Sequence, residues 1–201
     1  MKRKGIVTLF ITIILGLVLA GQVSAQAKFG PRTDSFMKIF SSGTYHMKAA
    51  ITGDGDKADM ELFSKGGRIA TTVTAEGETV RIIIRDSKTY MIMDSMKTIF
   101  VYPSQDASMT GAVDIEGQTL TGSGNAPFNG KNLPYEEYTT KDGSKAQYFV
   151  DGSKLAGIRN TTPGELAVDI AISALDQNVP DSVFSIPSSG YQVQDMTDFN
   201  F

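Results

Sequence analysis

Residues 44–62 read Thr44-Tyr45-His46-Met47-Lys48-Ala49-Ala50-Ile51-Thr52-Gly53-Asp54-Gly55-Asp56-Lys57-Ala58-Asp59-Met60-Glu61-Leu62. Tyr45, Met47, Ala49 and Ile51 alternate with Thr44, His46, Lys48 and Ala50. Beyond Gly53-Asp54-Gly55-Asp56, Ala58, Met60 and Leu62 alternate with Lys57, Asp59 and Glu61. A period of two sorts side chains onto opposite faces of a strand, and the glycine–aspartate cluster is a turn. The stretch is therefore a β-hairpin with one apolar and one polar face. The same logic carries on through the turn Gly66-Gly67, the strand holding Ile69, Thr71 and Val73, and the turn Glu76-Gly77. Hairpins joined in order make an antiparallel meander.

The next three strands, 80–85, 88–94 and 97–102, are apolar on both faces. Arg81 and Arg85 interrupt one face, but Ile82-Ile83-Ile84, Tyr90-Met91-Ile92-Met93 and Ile99-Phe100-Val101-Tyr102 are continuous apolar runs. Strands covered on both sides lose their alternation. A curved sheet with material packed inside and outside accounts for this. If Asp86-Ser87 is a two-residue turn, Ile82, Ile84, Met91 and Met93 share a face, and Phe100 and Tyr102 join it across the turn at Asp94-Ser95. These six are the candidate lining of a hydrophobic ligand cavity, in which methionine would adapt its shape to the occupant. The alternative is an ordinary core, with helices at 28–42 and 104–113 filling the same space.

Upstream, Pro31, Arg32, Thr33 and Asp34 lead into Phe36, Met37, Ile39 and Phe40 at helical spacing, and Gly43 suits the stop. Before that, Lys2, Arg3 and Lys4 precede an apolar run from Ile6 to Ala20, followed by small residues at Val23-Ser24-Ala25 and Ala25-Gln26-Ala27. This pattern is a secretory signal peptide over 1–27, leaving one domain over 28–201. The apolar run is about 15 residues, short of the roughly 20 that span a bilayer; a retained anchor is the alternative. The chain has no cysteine, which excludes disulfides, thiolate metal sites, a cysteine nucleophile and a lipobox. The expected product is periplasmic or extracellular, without a lipid anchor. The leader carries three of the 19 basic residues and none of the 22 acidic ones, so the remainder carries −6. Nucleic acid and anionic membrane surfaces are poor partners for such a domain.

Downstream, Pro103 ends the meander. Residues 104–130 are rich in Ser, Gly, Asp and Asn and read as a lid or binding loop, with a short helix near 107–113. Strands resume at 133–140, 146–150, 154–160 and 166–173, where Leu166, Val168, Ile170 and Ile172 alternate with Ala167, Asp169, Ala171 and Ser173. A single helical turn at Val179-Pro180-Asp181-Ser182 leads into Phe184, Ile186, Pro187 and Tyr191. The expected fold is mainly β: a curved antiparallel sheet of about ten strands, closed by short helices.

Two segments resemble the LolA-like carriers of bacterial envelopes, the lipoprotein-sorting family. Ala146-Gln147-Tyr148-Phe149-Val150-Asp151-Gly152-Ser153-Lys154-Leu155 looks like that family's hairpin, and Asn178-Val179-Pro180-Asp181-Ser182-Val183-Phe184-Ser185-Ile186-Pro187 like its closing segment. The leader, first helix and meander fit in order. The resemblance implies an incomplete antiparallel barrel whose mouth is closed by helices around a cavity for acyl chains. No Arg-Pro-x-x-Arg-type segment is present, so no family arginine carries over.

The remaining chemistry-bearing residues favour plain structural roles. Asp54, Asp56, Asp59 and Glu61 lack the glycine and distant glutamate of a calcium loop and read as a solvated hairpin. His46, the sole histidine, falls on the polar face and reads as a surface residue. Glu136 and Glu137 point to opposite faces of a strand and form no acid/base pair. Gly122, Gly124 and Gly130-Lys131 do not have P-loop spacing, and Asn160-Thr161-Thr162 is a chance acceptor pattern. The expectation is a monomeric, non-catalytic carrier, without cofactor or metal, for a lipid or lipid-modified ligand, with a transient membrane or envelope-protein partner. The alternative is an envelope module with a filled core that docks a protein or peptide.

Overall fold

The computed structural model describes residues 29–103 and 118–196. The leader and the short helix expected at 107–113 lie outside the described residues. Helix α1, Asp34–Ser41, precedes six strands: β1 Tyr45–Gly53, β2 Asp56–Lys65, β3 Arg68–Ala75, β4 Glu78–Arg85, β5 Lys88–Met93 and β6 Thr98–Pro103. Five more follow: β7 Thr119–Phe128, β8 Lys131–Thr139, β9 Lys145–Asp151, β10 Lys154–Thr161 and β11 Val168–Asp176. A 3-10 turn, Asp181–Phe184, leads to β12, Gln192–Asp195.

All twelve strands form one sheet in the order β12-β6-β5-β4-β3-β2-β1-β11-β10-β9-β8-β7. The sheet is not closed; it is a curved, incomplete barrel. β1 and β11 sit at its centre, and two meanders run outward from them. Pairing is antiparallel except between β12 and β6. Tight turns set the registers. Asp54 and Gly55 both have positive φ and join β1 to β2 with Gly53 opposite Asp56. Asp86 and Ser87, also at positive φ, put Arg85 opposite Lys88.

Two of the twelve strands escape the pattern of the sequence. Residues 119–128, expected within the lid loop, form β7. This strand is an edge, packed on one neighbour, and buries only Phe128, so it has no apolar stripe to betray it. β12 is four exposed residues held by main-chain bonds to β6: the Gln192 N–H donates to the Lys97 carbonyl and the Met196 N–H to the Val101 carbonyl, each at 2.8 Å. A further correction concerns Leu166. It lies before β11 and is 65% exposed, so it does not extend the apolar row that begins at Val168.

One face of the sheet carries α1. Phe36, Met37 and Phe40 pack with Tyr45, Met47, Ile51, Met60 and Leu62, and with Tyr138 and Tyr148 from the second meander. Burial pushes the Tyr45 hydroxyl up to about 12, against a lowering hydrogen bond with Ser64. The opposite face holds two smaller cores. Ala70, Ile83, Ile92, Ile99 and Val101 are covered by Val179 and Phe184 of the closing segment. Phe128, Leu133 and Phe149 form the other, with the Phe128 and Phe149 rings stacked at 4.4 Å. Strands β4–β6 are thus apolar on both faces because both faces are covered in part, and the outer cover is the closing segment.

Gly157 in β10 makes room for an aromatic ring against the strand. A Cβ at this position would come within 2.4 Å of the Phe128 ring and 2.3 Å of the Ile170 carbonyl. Only glycine lets the ring lie against the strand.

Candidate functional site

β10 and β11 are paired only from Gly157–Ala171 to Asn160–Val168. Beyond Gly157, β10 continues with β9 alone, and beyond Ala171, β11 continues with β1 alone. Each strand carries one extra residue at the parting, Ala156 on β10 and Ser173 on β11. Such bulges bend a strand away from its neighbour. The strands therefore diverge, leaving a cleft of about 530 Å³. Phe36 and Ile39 of α1, Leu155 of β10, and Ile172 and Leu175 of β11 give it apolar walls. Lys131, Asp151, Lys154 and Asp176 are its charged lining, with Asn129, Ser153 and Ser173 as further polar groups. The size falls within the range of small-ligand sites.

α1 forms part of the cleft because a distant carboxylate anchors it. Glu136 on β8 is 3% exposed. It accepts the backbone N–H groups of Arg32 at 3.2 Å and Thr33 at 3.1 Å, and the Thr33 hydroxyl at 2.8 Å. The Gly30 N–H donates to the Tyr138 hydroxyl at 2.7 Å. Burial raises the Tyr138 pKa, outweighing its bonds with Thr33 and Gly30. A carboxylate placed at the start of a helix satisfies donors that have no intrahelical acceptor and complements the helix dipole. Gly30 is required here: a Cβ would lie 2.3 Å from the Glu136 carboxyl. Glu137 points to the other face, as strand geometry demands, and binds Lys145 and Gln147.

His46 is more enclosed than its place on the polar face suggests. Its Nε2 lies 3.0 Å from Glu61 Oε1 and its Nδ1 3.1 Å from Asp176 Oδ2. Its ring stacks on Phe63 at 4.5 Å, and the side chain is 13% exposed. Cross-strand neighbours on β2 and β11 supply this enclosure, which the alternation of β1 alone does not reveal. Both ring nitrogens face carboxylates, so neither is available to take a proton from a nucleophile. The Glu61 pKa is lowered: burial raises it, but the bonds from Lys48 and His46 prevail. Asp176 is lowered chiefly by the Asn178 backbone N–H.

The six residues expected to line a cavity do share a face. Ile82, Met91 and Phe100 stand in register across β4–β6; Ile84 and Tyr102 both oppose Thr89, and Met93 faces Thr98 on the same side. Ile82 is buried in the main core and Ile84 packs against it. Met91, Met93, Phe100 and Tyr102 are half-buried. None of the six lines the cleft, nor either of two shallower concavities of about 550 and 410 Å³. The cleft escapes sequence reading because its walls come from α1, β10 and β11. The glycine and the break in alternation at Ala156-Gly157 are its only sequence trace.

No protein-family model matches the chain, and no curated protein matches it. Among solved structures, an uncharacterized conserved protein from Thermus thermophilus is similar over 80% of this chain and 99% of its own, with a TM-score of 0.51 and 8% identity. A LolA superfamily protein from Nitrosomonas europaea is similar over 77% of this chain and 97% of its own, with a TM-score of 0.44 and 12% identity. A chain of the Pseudomonas aeruginosa MucA/MucB complex is similar over 82% of this chain and 64% of its own, with a TM-score of 0.47 and 11% identity. This chain therefore spans less than two thirds of that one. At 8% identity the likeness to the Thermus thermophilus protein is one of fold alone.

Proposed function

We propose that this protein is an exported, non-catalytic binding module that holds a lipid or a lipid-modified chain in the cleft between α1 and the parted ends of β10 and β11. The observation that carries this reading is the break in the sheet itself. An ordinary core would be closed there by strand pairing. Instead about 530 Å³ lies open against Phe36, Ile39, Leu155, Ile172 and Leu175. Burial of a hydrocarbon chain contributes about 0.8 kcal/mol per methylene, so useful affinity needs no charged contact. The half-buried face of Met91, Met93, Phe100 and Tyr102 offers a second apolar wall on the α1 side of the sheet. A signal peptide over 1–27 would deliver the domain outside the cytoplasmic membrane without an anchor.

The test is mass spectrometry of an organic extract of protein purified without detergent, with titration of a fluorescent fatty acid. The expected result is co-purified lipid and saturable uptake. Ile39→Trp, which fills the cleft from the helix side, should weaken uptake at least about tenfold. Lipid-free extracts together with no uptake would overturn the reading.

A further inference from the structure

The sheet has two ends, and they are finished differently. One ends in β12, only four residues long. The other is β7, and among the described residues no strand pairs with its outer edge. β7 is ten residues long and carries no charged side chain. Protected edges are ordinarily short, charged, covered, or broken by proline or a bulge; β7 has Pro127 near one end and a bulge at Thr121 near the other, which leaves a regular stretch over 122–126 between them. The Asn129-Gly130 turn, with both residues at positive φ, makes Phe128 and Lys131 a hydrogen-bonded pair. Alternate residues Pro127, Asn125 and Ser123 therefore turn their main chain outward. Pro127 has no N–H to offer, but Asn125 and Ser123 present both a donor and an acceptor.

At the N-terminal end of β7 the edge meets a concavity of about 410 Å³ lined by Pro31, Arg32, Leu120, Thr121, Gly122, Ser123 and Glu136. Leu120 is 42% exposed. The backbone N–H of Arg32 is bound to Glu136, but its guanidinium has no partner among the described residues. The Glu136 carboxylate accepts from the backbone N–H groups of Arg32 and Thr33 and from the hydroxyls of Thr33 and Tyr138. Glu136 keeps its charge but is buried beneath these donors, so the exposed charge in the concavity is the Arg32 cation, beside an apolar side chain.

We infer that the outer edge of β7 binds the extended C-terminal tail of a partner protein by strand addition, with the tail's terminal carboxylate on Arg32 and its last apolar side chain on Leu120. Polarity decides the assignment. A guest added antiparallel, the more stable pairing, brings its C-terminus to the N-terminal end of β7. That is where Arg32 lies. A guanidinium and a carboxylate match in charge and in fork geometry. This site is separate from the cleft and stands whether or not the cleft holds lipid.

The test uses the full chain and a short N-acetylated peptide alternating threonine and valine, as free acid and as C-terminal amide, in fluorescence anisotropy. The free acid should bind about tenfold more tightly than the amide. Arg32→Met should erase that difference. Asn125→Pro, which removes an outward N–H and no bond within the sheet, should abolish binding of both peptides; Ser123→Pro is the second variant of this kind. Circular dichroism and fatty-acid uptake should match the parent in all variants. Equal affinity for acid and amide, no binding of either, or unchanged binding by Asn125→Pro would overturn the proposal. So would a concentration-dependent dimer lost in Asn125→Pro, which would assign the edge to a second copy of this chain.

Discussion

Among single residues, two buried polar groups behave in opposite ways. Glu136 sits where alternation alone puts it, on the inner face of β8, but its role depends on Gly30, Arg32 and Thr33, over 100 positions away in the chain. Truncation to alanine would leave the part-buried Arg32 N–H without an acceptor and the Thr33 N–H with only the Gly30 carbonyl at 3.2 Å. Glu136→Ala should therefore lower stability by about 2–3 kcal/mol, read from the urea midpoint. Thr71 is the converse. It is 2% exposed, and its hydroxyl has no hydrogen-bond partner among the described residues. Thr71→Val removes an unsatisfied group at nearly constant shape, so stability should hold or rise by up to about 1 kcal/mol in the same assay. A loss would show that the hydroxyl has a partner when the protein is in solution. The sequence marks Thr71 as facing the core, since it lies between Ile69 and Val73. Its lack of a partner emerges only from packing.

At the level of elements, the closing segment is held by ionic and polar contacts as well as by Phe184. Asp94 accepts from Arg81 Nε at 3.1 Å and from its terminal nitrogen at 3.0 Å, and also from the Tyr191 hydroxyl. The Arg81 guanidinium first, and then the Tyr191 hydroxyl, hold the Asp94 carboxyl below the usual carboxylate range. A carboxylate whose folded pKa is depressed contributes fully above its unfolded value, about 3.9, and loses that contribution as pH falls through the lowered one. The β12 ladder should therefore be intact from neutral pH down to about 5 and weaken only as pH falls below the unfolded carboxylate value and through the lowered one. Amide signals of residues 192–195 in NMR spectra would report this, and loss of the ladder between pH 7 and 5 would contradict it. The position of this segment is legible from the run Val179 to Tyr191. Its pairing as a strand is not, because four exposed residues carry no periodic signal.

For the whole molecule, the cleft and the open edge follow from one topology. Two meanders spread from β1 and β11; bulges part β10 from β11, and β7 ends the strand order with one neighbour among the described residues. The tests at these two sites are independent: filling the cleft with Ile39→Trp should spare peptide binding, and Arg32→Met should spare fatty-acid uptake. Neighbouring residues suffice to establish that the chain is a meander of short hairpins with one strongly apolar face, and that Ile82, Ile84, Met91, Met93, Phe100 and Tyr102 lie together. A period of two and tight turns are local properties, legible in any short window. Long-range packing settles the rest: the inner face is filled beneath α1 and open beside it. That outcome depends on a carboxylate on β8 reaching the start of a helix, and on bulges that move one strand away from another. Neither is a property of any short stretch of chain.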